Sequence, residues 1–235
     1  MKFSYEVKFL KNAKRFTLRV LQNQTVRVTV RKGTSESEIQ KFILKYADWI
    51  QKKITAIQSL PPKKLVKFSD GEFVPFLGEE LCLKITEGHK DTFTFQNYLY
   101  VSLSSKKINL EPEQKEQYIK KALIKWYQQQ ALQKITEKAQ LYCAQLGILP
   151  KTISLKNYKS RWGACSSKGD LIFNWQIIIK SEQFFNYVVA HEVCHLKQMN
   201  HSPKFYAQLE QLGFYKSEIK NEIKKERLNA VQIFN

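Results

Sequence analysis

Three of the chain's four histidines fall within eleven residues, HEVCHLKQMNH at 191–201. Two histidines four apart on a helix share one face, about 6 Å apart along its axis, so both imidazoles reach a single ion at roughly 2.0–2.1 Å. Glu192 stands beside the first of them, near the ion's open position. From there it can take a proton from an attacking water and pass it to the leaving group. A donor set of neutral imidazoles with one position left open suits zinc, which lowers the pKa of such a water towards about 7.

The third ligand requires a change of chain direction. On an unbroken helix His201 would lie about 9 Å beyond His195 along the axis, turned well away from the ion. The chain is therefore expected to turn after Met199. Asn200 tolerates the left-handed conformation of a helix end, and Ser202 and Pro203 read as the cap and first position of a new helix. Glu210, Glu218 or Glu222 would replace His201 in an alternative ligand set, ranked below it. HExxH is a short pattern that two unrelated histidines can match. The apolar lead-in of Phe184, Phe185, Val188 and Val189 argues otherwise: on a buried helix, two histidines and a glutamate need partners, and a metal supplies them.

Other polar residues carry weaker signals. Arg161 and Trp162 fall on a strand just ahead of the active helix. They read either as ordinary strand residues or as substrate-binding ones, with Arg161 holding substrate charge. Tyr187, Tyr206 and Tyr215 are candidates to polarise a developing oxyanion. Cys194 points off the ligand face and, like Cys165, is expected to be structural; His89 is expected to sit exposed in a turn.

The elements that must position these residues follow from periodicity. Phe3, Tyr5, Val7 and Phe9 alternate, as do Phe16, Leu18 and Val20 and then Val26, Val28 and Val30, predicting three strands. Ser35 and Glu38 form a capping box, and Ile39, Phe42, Ile43, Tyr46, Ile50, Ile54 and Ile57 predict one amphipathic helix to about Ser59, stopped by Pro61 and Pro62. A strand-rich stretch follows over 65–101, with turns at SDGE (69–72) and GHKD (88–91). From Pro112 strong helix formers run to Leu146, with Gly147 and Pro150 as the stop. Short strands fit 152–157, 161–165 and 171–175, with SSKGD (166–170) as a hairpin turn, and Ser181 caps the histidine-bearing helix. The fold class is α+β, divided into a basic β-rich region with one helix, 1–108, and a catalytic domain, 109–235.

Composition bounds the rest. With 43% hydrophobic and 13% aromatic residues the chain is globular rather than disordered. Its net charge of +18 reads either as a solvated basic surface or as attraction to polyanions such as nucleic acid or nucleotides, although no nucleic-acid-binding motif accompanies it. The four cysteines show no CxxC pair or disulfide-like spacing, the N-terminus lacks a signal-like apolar run, and no stretch suits a membrane span. A cytoplasmic protein with no membrane partner is expected.

The stretch KSRWGACSSKGDLIFNWQIIIKSEQFFNYVVAHEVCHLKQMNHSPKFY resembles the YgjP-like metallopeptidase family, which pairs an RWGSCS-type hairpin with YVVxHELxHLxxxNHSxxFW. KRFTLRV, TVRVTVRKGTSESEIQKFILKYADWI and FLGEELCLKI look like that family's N-terminal half. The resemblance implies a zincin-type fold, zinc on His191, His195 and His201, Glu192 as catalytic base, and a peptide or protein substrate. Ala164, Val193 and Tyr206 depart from the family's Ser, Leu and Trp, and the last twenty residues follow it poorly. The same ligand spacing occurs in SprT-like and WLM proteases, whose likeness does not fix a substrate.

Three functions are therefore in view. A zinc endopeptidase would pair an extended substrate with an edge strand at 161–165. A zinc hydrolase of nucleotide phosphoanhydrides would use Lys and Arg on the phosphates, but the chain has neither a GxxxxGK[ST] loop nor a carboxylate cluster for magnesium. A nucleic-acid-binding module with a structural zinc would have no use for Glu192.

Overall fold

The structure, a computed structural model, describes residues 3–21, 23–59, 67–158 and 161–228. The chain divides into two units, 1–62 and 63–235, each packed mainly against itself.

In the first unit, strands β1 (Tyr5–Leu10), β2 (Thr17–Val20) and β3 (Val26–Arg31) form a sheet of order β1-β3-β2. β1 is parallel and β2 antiparallel to the central β3. Val26, Val28 and Val30 are fully buried, and they share a core with Ile39, Ile43, Ile50 and Ile54 of two helices, α1 (Glu36–Lys45) and α2 (Ala47–Gln58). The Ser35–Glu38 capping box is formed at the start of α1. The single helix expected here is broken at Tyr46, whose φ of −111° and ψ of 13° close one helix and open the next. Neither glycine nor proline marks that break. Pro61 and Pro62 lie outside the described residues.

In the second unit, β4 (Phe73–Phe76), β5 (Glu79–Glu87), β6 (Thr92–Phe95) and β7 (Leu99–Leu103) form a mixed sheet of order β4-β5-β7-β6, in which β5 and β7 are parallel. After a short helix α3 (Ser105–Ile108), Glu111 and Pro112 open α4 (Pro112–Leu146), which Gly147 ends at a left-handed φ of 63°. The buried residues Ile119, Leu123, Tyr127, Ala131, Ile135 and Ala139 step by four along α4. Four residues overshoot a turn by about 40°, so this stripe winds around the helix and gives it partners on more than one side. Trp126 and Tyr127 meet Phe76 of β4, and the Tyr127 hydroxyl donates to the Pro75 carbonyl at 2.7 Å.

α4 also packs against a 3-10 helix (Trp175–Ile179), and it touches part of the set of elements that carry the site. That set is β8 (Thr152–Leu155), β9 (Gly163–Cys165), β10 (Asp170–Phe173), α5 (Glu182–His195), α6 (Pro203–Gln211) and α7 (Lys216–Leu228). The sheet order β8-β10-β9 leaves β9 on an edge. One hydrophobic core joins residues 68–103 to the C-terminal helices. The change of texture near residue 108, where the sequence suggested a domain boundary, is therefore not a break in packing. No helix among the described residues is long and apolar enough to cross a membrane.

Candidate metal centre

Ser181 caps α5 as expected, its hydroxyl accepting from the Phe184 N–H at 3.2 Å. Phe184, Phe185, Val188, Val189, Ala190 and Val193 bury the helix, and this rigid seat presents His191 and His195 one turn apart, Nε2 to Nε2 3.2 Å. α5 ends at His195, four residues before the expected turn, with the Leu196, Lys197 and Gln198 N–H groups closing on Val193 and Cys194 carbonyls. Asn200 takes no left-handed conformation. The reversal is nevertheless made, and Ser202 and Pro203 open α6 at the expected positions, although Ser202 forms no side-chain cap bond. His201 Nε2 comes to 3.1 Å from His191 Nε2.

All three ligand atoms lie within 4.8 Å of one another, and this is the one such group of three found among the described residues. Two nitrogens on a tetrahedral ion at about 2.0–2.1 Å sit about 3.3–3.4 Å apart, close to both separations from His191 Nε2. The tautomers fit as well. His195 Nδ1 lies 2.9 Å from the Gln198 carbonyl, which can only accept, so Nδ1 carries the proton and Nε2 offers a lone pair. Burial, followed by the neighbouring His195 and His201, pushes His191 down to about 3, and burial lowers His195 also. Three imidazoles whose ring nitrogens converge are a seat for a cation. Glu222, offered as an alternative ligand, instead bonds the Ser181 hydroxyl.

Glu192 is buried at 7% exposure, and burial raises its carboxyl to about 7 against the opposing pull of Arg161. The strand β9 passes so close that a Cβ on Gly163 would stand 2.6 Å from Glu192 Cγ. Arg161, Gly163, Ala164, Cys165, His191, Glu192, His195 and Met199 line one open cleft of about 330 Å³. Arg161 is therefore brought to the site. Trp162 is not among the lining residues: it packs on Phe184 at 5.7 Å, with the Lys180 ammonium 5.5 Å over its ring. The Cys165 thiol is pushed up to about 11, chiefly by burial, and Cys194 is buried off the cleft.

One contributor was not singled out by the sequence, and another takes a different part from the one expected of it. Phe205, fully buried on α6, underlies all three imidazoles with ring centroids 4.7–5.0 Å away. Tyr187, considered as an oxyanion partner, has its hydroxyl 3.1 Å from His191 Nδ1. Of the other two tyrosines, Tyr206 stands 6.5 Å from the His201 ring and Tyr215 is exposed. A four-residue step back along the helix was the available signal for Tyr187; Phe205 stands four residues beyond His201.

Converging imidazoles, a buried carboxyl and an edge strand over one cleft define a metal-dependent hydrolase. The chain matches the family described as YgjP-like, metallopeptidase domain, over residues 14–226, and it belongs to that family. It is an α+β enzyme of the metallopeptidase class, and such enzymes work through a divalent metal. Among solved structures it is similar to the metallopeptidase zymogen abylysin of Pyrococcus abyssi, at 19% identity over 39% of this chain and 93% of that one, with a TM-score of 0.36. It is also similar to the zymogen jannalysin of Methanocaldococcus jannaschii, at 25% identity over 41% of this chain and 89% of that one, with a TM-score of 0.37. No curated protein matches it.

Proposed function

We propose that the chain is a zinc peptidase in which His191, His195 and His201 hold the ion and Glu192 is the general base. The observation that carries this reading is the convergence of three imidazoles, two of which line one open cleft with Glu192. Zinc bound there supplies Lewis acidity towards a substrate carbonyl and an attacking water. Glu192, seated in a low-dielectric pocket, takes the proton of that water and returns it to the leaving amine. Burial holds this carboxyl up and Arg161 opposes it, and a cation held by the three histidines would further favour the ionised form a base needs. β9, on the edge of its sheet among the described residues, offers main-chain groups to an extended peptide, and Arg161 at the same rim attracts a carboxylate or carbonyl of the substrate.

The test is metal content and hydrolysis measured together. Purified protein should carry one zinc per chain, lost in His191→Ala. Glu192→Gln should keep the zinc and lose two to four orders of magnitude in peptide cleavage, roughly the worth of a general base. Nucleotide hydrolysis that depends on Glu192, with no cleavage in a peptide library, would overturn the peptidase reading.

A further inference from the structure

Half of the net charge sits in about a quarter of the chain: residues 1–62 hold thirteen Lys and Arg against four Asp and Glu, +9 of the +18. Strand alternation sorts these charges by face. The strand positions turned towards α1 and α2 carry none. The opposite face carries Lys8, Arg19, Arg27 and Arg31, with Thr17 and Thr29 between them. Glu6 is the acidic residue of that face, and it stands in register with Arg27 and is ion-paired to it. Lys8, Arg19 and Arg31 are exposed.

The register makes this an array rather than a scatter. Glu6, Arg27 and Arg19 form one row across the sheet, Lys8, Thr29 and Thr17 the next, and Leu10 and Arg31 a third. Rows of this kind recur about every 7 Å along the strands, with neighbouring strands about 4.8 Å apart. Beyond the third row the cations continue around a cleft of about 500 Å³ lined by Lys11, Lys14, Arg15 and Arg31. Glu38 also lines it, but its carboxylate is engaged by the Ser35 N–H and hydroxyl.

We propose that this outward face of the β1-β3-β2 sheet binds the phosphodiester backbone of nucleic acid without regard to base sequence. A repeating polyanion meets several cations of the array at once, whereas a single small anion meets one or two. The threonine hydroxyls add neutral donors of the kind that contact phosphate oxygens. No aromatic occupies the outward strand positions, so bases have nothing to stack on and the contact is with the backbone. Leu10 is the single apolar residue among them, too little to anchor the face in a bilayer interface. The proposal is independent of the peptidase reading, since its residues lie in the other unit.

The test uses the full chain and fluorescence anisotropy with a labelled DNA duplex of arbitrary sequence across a salt series. Four phosphate contacts predict log K falling against log salt with a slope of about −3.6, at 0.9 per contact. The triple variant Lys8→Gln, Arg19→Gln, Arg31→Gln should bring the slope to about −1 and, at low salt, weaken binding at least 100-fold. Lys41→Gln, Lys45→Gln, Lys52→Gln removes the same charge from α1 and α2, and it should leave the slope near the wild-type value. Equal losses in the two triple variants would overturn the face, as would a wild-type affinity indifferent to salt. Should the first triple variant lose its circular dichroism signal, Lys8→Gln and Arg31→Gln singly should each take about 0.9 from the slope; no change in either overturns the proposal. Tighter binding to phosphatidylserine-containing vesicles than to duplex at equal salt would assign the face to membranes instead.

Discussion

A metal-ligating imidazole is aimed by whatever its second nitrogen bonds, and the two histidines of α5 are aimed differently. His195 is fixed by a main-chain carbonyl that no substitution at Gln198 removes, whereas His191 depends on the Tyr187 side chain. Tyr187→Phe should therefore weaken zinc binding by about 10- to 100-fold, read by competition with a chromophoric chelator; an unchanged affinity would mean the hydroxyl does not hold His191. Gly163→Ala would drive a methyl group into Glu192. Its zinc content should stay whole while kcat drops at least about tenfold, because the base is displaced from a geometry that tolerates little error. A variant with full kcat would show that Glu192 has room to give. The three converging histidines were legible in the sequence because they fall within eleven residues, two of them at a helical spacing and the third just past a helix break. Phe205 and Gly163 matter through closeness in space, and each, read alone, is an ordinary apolar residue or glycine.

Elements were legible where a local signal bounds them. The Ser35 box, Glu111 with Pro112, Gly147 and Ser181 each stand where the structure begins or ends a helix. The break at Tyr46 and the early end of α5 carry no such residue, and both answer to tertiary fit. The placement of α7 depends on a contact that sequence periodicity does not announce: Glu226 of α7 meets the buried Lys180 at 3.2 Å and accepts from the Ser181 N–H at 3.1 Å. Glu226→Ala should cost about 3 kcal/mol in a denaturant titration, by taking a buried carboxylate from beside the ammonium, and Lys180→Met with Glu226→Leu should recover most of that loss. Equal stability of Glu226→Ala and wild type would count the pair as idle. The 166–170 turn has its own pH dependence. Asp170 is held below its ordinary range first by the Thr152 hydroxyl and then by that of Ser166. A carboxyl lowered in the folded state stabilises above its unfolded pKa and loses that contribution as pH falls through the lower folded value. Amide protection at Lys168 and Asp170 should thus fade below about pH 4, and Asp170→Asn should remove that dependence.

For the molecule as a whole, two hydrophobic cores hold the described residues, and the histidines are members of neither. Chelation should therefore abolish activity and leave the far-ultraviolet circular dichroism intact. At a hundredfold excess of metal over its dissociation constant the lost linkage is about 2.7 kcal/mol, so the melting temperature should fall by roughly 5–10 °C. Loss of helicity on chelation would make the ion a structural one. The long helix α4 adds a constraint on how this chain can vary over time. Because its buried stripe winds past several partners, inserting one residue near Ala131 would turn every later position by about 100° and present Lys138 where Ala139 now packs. Insertions and deletions should accordingly be tolerated at the exposed positions 89–90 and rejected within α4, leaving that helix a fixed ruler while the surrounding turns change length.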